Sequence, residues 1–324
     1  MRTIVIEGIA TPASVVGLGT MIFHPDTADR DHGLLDAFVD GGGTFIDTAE
    51  VYGAVEEHGY SEMVIGDWLA SRPGMRDRIV LVSKGLIPGY CAPLHPGGAS
   101  ISPAQIHRAI DGSLERLKTA QLDLWMFHRD DPDLDVGPLV DALYEEIGAG
   151  RIKAWGASNW TTDRLQAAMD YAAASGKAAP VASSPNFSLA KANEPYWPDT
   201  VTTSDDDRAW YARHQMPLVA WSSLGRGFFS RGNTNDRSDQ DLVRVFYSDG
   251  NFQRKRRATE LANAKNLSMF EIAIAYVTSQ AFPSVALCGA RTVEQVKDAS
   301  HAGDLVLSQQ ERDWLDLTSD ENPI

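Results

Sequence analysis

A short β-branched or apolar run recurs eight times along this chain, each time separated from the next by a longer stretch. The runs are VVGLG (15–19), TFID (44–47), RIVLVS (78–83), LDLWMF (122–127), IKAWGA (152–157), PVASS (180–184), PLVAW (217–221) and SVALCG (284–289). Between them lie amphipathic patterns such as HGLLDAFVDGG, YSEMVIGDWLASR, SPAQIHRAIDGSLERLKT and VGPLVDALYEEIGAG. Ser102 before Pro103 and the run Thr161-Thr162-Asp163 mark helix starts; Gly148 and Gly150 mark a helix end. Eight strand–helix units in sequence predict parallel strands closed as a (β/α)₈ barrel of the TIM type. An open doubly wound sheet is the rival. Against it, GLGT (17–20) lacks the third glycine of a dinucleotide turn, and no helix follows at once. TIVIE (3–7) is expected to form a hairpin closing the bottom of the barrel. Barrels commonly run to this length as one unit, so residues 1–324 are expected to form a single domain.

The surface excludes some partners. Acids outnumber bases 44 to 29, a formal charge of -15, which repels nucleic acid and anionic membranes alike. Neither is expected as a partner. Two cysteines, Cys91 and Cys288, are too few for a disulfide framework. With no run long enough to span a membrane and no secretory pattern at the start, a cytoplasmic location is expected. RKRRATE (254–260) reads as a solvated helix face, Cys288 as core, and Tyr196, Trp197, Trp210 and Tyr211 as packing, with Trp197 in a rim loop.

Three connections are longer than a barrel needs: residues 85–100, 186–206 and 223–251. All follow the C-terminal ends of strands, where barrel enzymes build their sites. The same rim gathers Asp47, Lys84 and His128 at the ends of the second, third and fourth strands, with Tyr52 one short loop beyond Asp47. A phenol ordinarily titrates near ~10, so it needs an adjacent ammonium to stabilise its anion. An aspartate keeps that ammonium charged and directed, and a histidine on the other side can orient a carbonyl oxygen. The set suits protonating a carbonyl as hydride arrives at its carbon, and the hydride demands a nicotinamide cofactor. Two other chemistries use similar residues. A Schiff-base barrel enzyme would use Lys84, but it wants a depressed lysine pKa, which Asp47 opposes. A metal hydrolase would recruit Asp47, His128, Asp130 and Asp131, yet no paired histidine motif accompanies them, and no metal is expected.

FIDTAEVYG (45–53), Lys84 within IVLVSKG, SLERLKTAQLDLWMFHRDDP (113–132) and GAGRIKAWGASNW (148–160) together resemble motifs of the aldo-keto reductase superfamily. SLGRG (223–227) and GARTVEQV (289–296) resemble its cofactor-binding loops. The likeness covers nearly the whole chain. It implies Tyr52 as proton donor, Lys84 and Asp47 as its tuning pair, and His128 as the carbonyl-orienting residue of an enzyme that reduces an aldehyde or ketone with NADPH, NADH being possible. It further implies that Ser158 and Asn159 bind the nicotinamide carboxamide and that Trp221 stacks on the nicotinamide face. Gly19, Thr20 and Met21 would border the cofactor with Asp47. Ser222, Leu224, Gly225, Arg226 and Gly227 would wrap the pyrophosphate, while Gly289, Arg291 and Gln295 hold the adenosine end. Arg291 suits a 2′-phosphate because its planar fork matches that anion. A regulatory, cofactor-binding subunit on the same barrel is the alternative that the resemblance permits.

Two positions depart from the family pattern. Ser184 stands where a glutamine usually bonds the carboxamide, and Asp298-Ala299 replaces a Glu-Asn pair, leaving Asp298 to accept from the adenine amine. Substrate walls are expected from Met21, Phe23, Leu86, Tyr90 and Arg129 and from the loops 186–206 and 223–251.

Overall fold

The computed structural model describes residues 1–53, 58–89, 94–95 and 100–324; Tyr90 and Cys91 lie outside them. Eight parallel strands close into a barrel: β1 (Val16–Gly19), β2 (Phe45–Asp47), β3 (Val80–Gly85), β4 (Leu122–Phe127), β5 (Ile152–Ser158), β6 (Ser183–Ser184), β7 (Leu218–Ala220) and β8 (Ser284–Gly289). Each pairs in parallel with the next, and β8 returns to β1 through Ala286↔Val16 to Gly289↔Gly19. Helices ring the outside. Among the described residues no helix is long and apolar enough to cross a membrane.

The strands are buried on both faces, as parallel strands covered by helices must be, and their two-residue period separates two apolar layers. Phe45, Val80, Val82, Leu124, Met126, Ala154, Ala182, Val219 and Val285 point inward and fill the barrel. Ile46, Leu81, Trp125, Phe127, Trp155 and Leu218 point outward against the helices. Continuing the inward parity to the C-terminal end of every strand gives Gly19, Asp47, Lys84, His128, Ser158, Ser184, Trp221 and Gly289. Strand parity thus brings eight residues that are scattered in sequence to one barrel mouth.

The opposite end is plugged. Thr3–Ile6 and Ile9–Ser14 form an antiparallel hairpin turning at Gly8, whose φ of 77° is the left-handed region that glycine tolerates. Ile6, Ile9 and Ala13 from this hairpin join the inward-facing cluster, so it closes the barrel bottom as its sequence suggested. Ser102 and Thr161 cap their helices by accepting from Gln105 N and Arg164 N.

Two expectations change. The stretch 223–251 is not a structureless loop: it contains the helices Phe228–Arg231 and Gln240–Phe246 and begins the helix Asp249–Lys265. The basic run 254–260 is not a fully solvated face either. Arg254 and Arg257 are buried, and their guanidinium groups donate to the carbonyls of Asp316 (3.1 Å), Trp314 (2.6 Å) and Ser319 (2.7 Å). Those carbonyls cluster at and just beyond the C-terminal end of the helix Gln309–Asp316, where orphan acceptors attract cations. Cys288 is core as expected. It is buried beside Ser223 Oγ, and burial pushes its thiol up to about 12.

Ile6 is 1 % exposed and Val5 78 % exposed. Ile6→Ala is therefore expected to destabilise the protein by about 2–5 kcal/mol, with Val5→Ala within about 0.5 kcal/mol of wild type. Urea melts of the two variants check this; equal effects would mean that the hairpin does not pack into the barrel.

Candidate active site

At the barrel mouth, Lys84 Nζ lies 2.6 Å from Asp47 Oδ1, with both side chains 2 % exposed. Its other contacts are the Thr48 carbonyl oxygen at 2.9 Å and the Tyr52 hydroxyl at 3.5 Å. The ammonium has three donors and faces three oxygens. Because the phenol oxygen accepts from Lys84, its own proton stays available for a third group. Burial alone would lower the Lys84 pKa, but Asp47 and Tyr52 more than reverse this and hold it above the ordinary lysine range. A lysine held as ammonium is the wrong state for a nucleophilic amine.

The phenol differs from the sequence expectation. Burial pushes the Tyr52 pKa above its ordinary value, and the attraction of Lys84, itself opposed by Asp47, offsets only part of that rise. Tyr52 is therefore a protonated phenol at neutral pH, with a cation waiting beside the anion it would become. His128 meets the Tyr52 ring edge-on, with centroids 5.7 Å apart. Its backbone N–H donates to the Gly85 carbonyl (2.8 Å), tying β4 to the end of β3. Burial, then the positive charges of Lys84 and Arg129, push the imidazole well below the ordinary histidine range. His128 is thus a neutral imidazole, able to hydrogen-bond a carbonyl oxygen without competing as the acid.

These four residues open onto a cleft of about 2030 Å³ along the rim. Gly19, Met21, Ser158, Asn159, Trp221, Ser222, Leu224, Arg226, Gly227, Gly289, Arg291 and Gln295 line it as well. Four other expected positions do not. Thr20 is fully buried and donates to the Asp47 carbonyl at 2.9 Å. Gly225 forms the turn beneath its neighbours with φ 56°, and Asp298 is exposed on the helix Val293–Ala302 beyond the lining residues. Ser184 is fully buried, its Oγ has no hydrogen-bond partner among the described residues, and its carbonyl accepts from Ser158 Oγ (2.8 Å) and Asn159 N (3.2 Å). Phe23 and Leu86, expected as substrate walls, are core residues and do not line the cleft; Met21 and Arg129 do.

Asn159 carries a second surprise. Its Oδ1 accepts from Val201 N and Trp221 Nε1, both at 3.2 Å, and its Nδ2 donates to the His128 carbonyl (3.1 Å) and Ser158 Oγ (2.9 Å). Those four bonds exhaust the amide, so any further partner must displace one of them. As placed, Asn159 fixes the Trp221 ring and the 186–206 loop relative to β4.

Three features had weaker signals in the sequence. Arg226 lies over the rings of Tyr196 (4.7 Å) and Trp197 (5.0 Å), joining the two longest rim segments. Arg231 pairs with Asp239 across 2.8 Å on the cleft wall. Behind Tyr52, Glu50 and His95 form a buried pair 3.0 Å apart. Glu50 stands in the same FIDTAEVYG stretch as Asp47 and could have been questioned there; nothing in the sequence ties it to His95.

Compared with known proteins, the chain matches the profile of the Aldo/keto reductase family over residues 15–318. It is 29 % identical over 308 residues to aldo-keto reductase ausK of Emericella nidulans, covering 90 % of this chain and 72 % of that one. The crystal structure of an aldo-keto reductase from Klebsiella pneumoniae in complex with NADPH superposes with a TM-score of 0.71 at 27 % identity, covering 98 % and 95 % of the two chains. Another from the same organism, in complex with NADP and acetate, gives 0.69 at 28 % identity over 95 % and 92 %.

The placement of His128 makes a measurable claim. An NMR titration should show it remaining neutral where exposed histidines, with pKa near ~6.5, gain their proton. Lys84→Met removes one repelling cation and should move its pKa upward. Between the folded and unfolded pKa values the unfolded chain binds a proton that the folded one refuses, so this residue costs stability as pH falls below ~6.5. A His128 that titrates like an exposed histidine would contradict the burial described.

Proposed function

The chain belongs to the aldo/keto reductase family, and from that premise we propose that it reduces an aldehyde or ketone to an alcohol with NADPH, Tyr52 serving as general acid. The observation that carries this reading is the convergence of Asp47, Lys84, Tyr52 and His128 on one barrel mouth. The cleft fits the cofactor by its donors. Trp221 and Ser158 lie near those four residues. Leu224 and Gly227 of the turn 224–227, with Arg226 and Arg291, line the same cleft and offer the cations and N–H groups that phosphates need.

Bound NADPH supplies hydride to the carbonyl carbon. The chain's own residues handle the oxygen. The neutral His128 imidazole orients it by a hydrogen bond, and Tyr52 gives it the phenolic proton as negative charge develops. Lys84 stabilises the phenolate left behind, and Asp47 keeps Lys84 charged and aimed. Proton and hydride together make the alcohol, and solvent returns a proton to Tyr52. Met21, Arg129, Tyr196 and Trp197 line the same cleft as the catalytic set, so an aromatic or cyclic carbonyl compound fits this wall best.

A steady-state screen of aldehydes, ketosteroids and sugars with both nicotinamides tests the activity. Tyr52→Phe removes the hydroxyl and with it the transferable proton, so turnover should fall by roughly 10²–10⁴-fold with cofactor affinity nearly unchanged. A variant retaining most of its activity would remove Tyr52 from the role.

Arg291 is exposed on the cleft wall, its backbone N–H donating to Gln295 Oε1 at 2.7 Å. NADPH should bind more tightly than NADH, and Arg291→Ala should weaken NADPH alone. A charge-assisted hydrogen bond contributes roughly 1.5–3 kcal/mol, so about tenfold or more in affinity should vanish. Isothermal titration calorimetry with both cofactors decides; equal weakening of both would contradict the phosphate role.

A further inference from the structure

The loop that carries Tyr52 is held from behind by a buried relay outside the reacting set. Glu50, 1 % exposed, donates its backbone N–H to the Lys84 carbonyl at 2.9 Å. Its Oε1 accepts from Leu86 N at 2.6 Å, and Leu86 stands at φ 66°, a left-handed conformation that a branched side chain rarely holds without support. Gly85 makes this approach possible, since a Cβ there would lie 2.9 Å from the Trp125 ring and 3.2 Å from Glu50 Oε1. The other carboxylate oxygen, Oε2, lies 3.0 Å from His95 Nε2, and His95 Nδ1 lies 3.1 Å from Gln105 Oε1 on the helix Pro103–Arg116. His95 is 1 % exposed.

We infer that Glu50 and His95 are positioning residues for the reduction: the histidine clamps the carboxylate, and the carboxylate locks the Tyr52 loop to the end of the strand that carries Lys84. The Lys84–Tyr52 distance depends on that lock, because Glu50 is anchored to the Lys84 carbonyl itself and to Leu86 two residues beyond it. The inference rests on the reading of Tyr52 as proton donor.

The relay has a preferred protonation state. Both ring nitrogens of His95 face oxygen acceptors, so the imidazolium, with two N–H donors, is the matched form. Among the described residues, two kinds of charged group act on it. The Glu50 carboxylate favours the cation, while the Arg116 guanidinium, itself 2.6 Å from Glu62, opposes it. Burial also opposes it, but Glu50 and then Gln105 outweigh both and raise the His95 pKa above the ordinary value. A raised histidine pKa means that the clamp is fully present below ~6.5 and is lost as pH rises through the folded value. Turnover should therefore carry an alkaline limb that belongs to His95. The Tyr52 phenol, pushed above its ordinary ~10, titrates at still higher pH.

The test uses the full chain with saturating NADPH and 4-nitrobenzaldehyde, or the fastest aldehyde of the screen, across pH 6 to 9.5. His95→Gln should lower kcat by roughly ten- to a hundredfold, the scale of a small misplacement at a reacting centre. NADPH affinity should stay unchanged and the alkaline limb should disappear. Gln105→Glu adds a carboxylate facing Nδ1 and should move the limb to higher pH with kcat at pH 6 preserved; Gln105→Ala should move it lower. These two variants keep the test open if His95→Gln folds poorly. A limb that stays in place in both Gln105 variants, or that survives in His95→Gln, overturns the inference, as does a loss of kcat matched by an equal loss of NADPH affinity. Tyr52→Phe is run alongside. If it keeps its turnover, the proton-donor reading fails whatever the limb does; if it is inactive and the limb ignores residues 95 and 105, only the relay fails.

Discussion

The ion pair between Asp47 and Lys84 is the contact on which the barrel mouth depends. Two opposite charges sit almost out of water at the ends of adjacent strands, where removing either partner leaves a buried charge that costs several kcal/mol. The pair therefore cannot relax independently. It fixes the direction of the ammonium, which then reaches the Thr48 carbonyl and the Tyr52 hydroxyl. The phenol is raised by burial and the imidazole lowered by burial and positive neighbours. One buried cation thus helps keep two neighbouring groups in different roles: an acid whose anion it stabilises, and a neutral hydrogen-bonding ring. That separation of pKa values in a shared environment marks an acid–base site.

Much of this was legible because a barrel strand has a two-residue period. Once Phe45, Val80 and Leu124 are taken as inward-facing, Asp47, Lys84 and His128 must follow at the mouth, and the identity of each residue suggests the chemistry. The same arithmetic accounts for Ser158 and Trp221 lining the cleft, although the sequence offered them only through the family resemblance. It also aims Ser184 inward, yet that short side chain stays behind the wall, because parity fixes a direction and not a reach. The net direction of the Tyr52 shift could not be read either, since a motif reveals the neighbouring cation but not the loss of water that outweighs it.

Contacts between distant segments were the least legible. Nothing in RKRRATE says that Arg254 and Arg257 turn toward the end of a helix about sixty residues later, and a basic run on an acidic chain has a solvated face as its plain reading. The helices within 223–251 were hidden by a polar, glycine-containing sequence whose helical pieces are short: Phe228–Arg231 spans four residues and Gln240–Phe246 seven. Such pieces are stabilised by tertiary packing rather than by their own propensity, as the buried Phe228, Phe229, Leu242, Val245 and Phe246 show.

The arrangement of tryptophans gives the molecule a built-in optical reporter. Of eight such residues, Trp68, Trp125, Trp155, Trp160, Trp210 and Trp314 are buried in the packing of the barrel and its helices. The remaining two, Trp197 and Trp221, lie on the cleft wall with ring centroids 5.6 Å apart, and Arg226 covers the first of them. Six rings therefore supply a nearly constant background emission. Two coupled rings face whatever enters the cleft, so quenching of the intrinsic fluorescence on occupancy arises at the site itself, with no label attached.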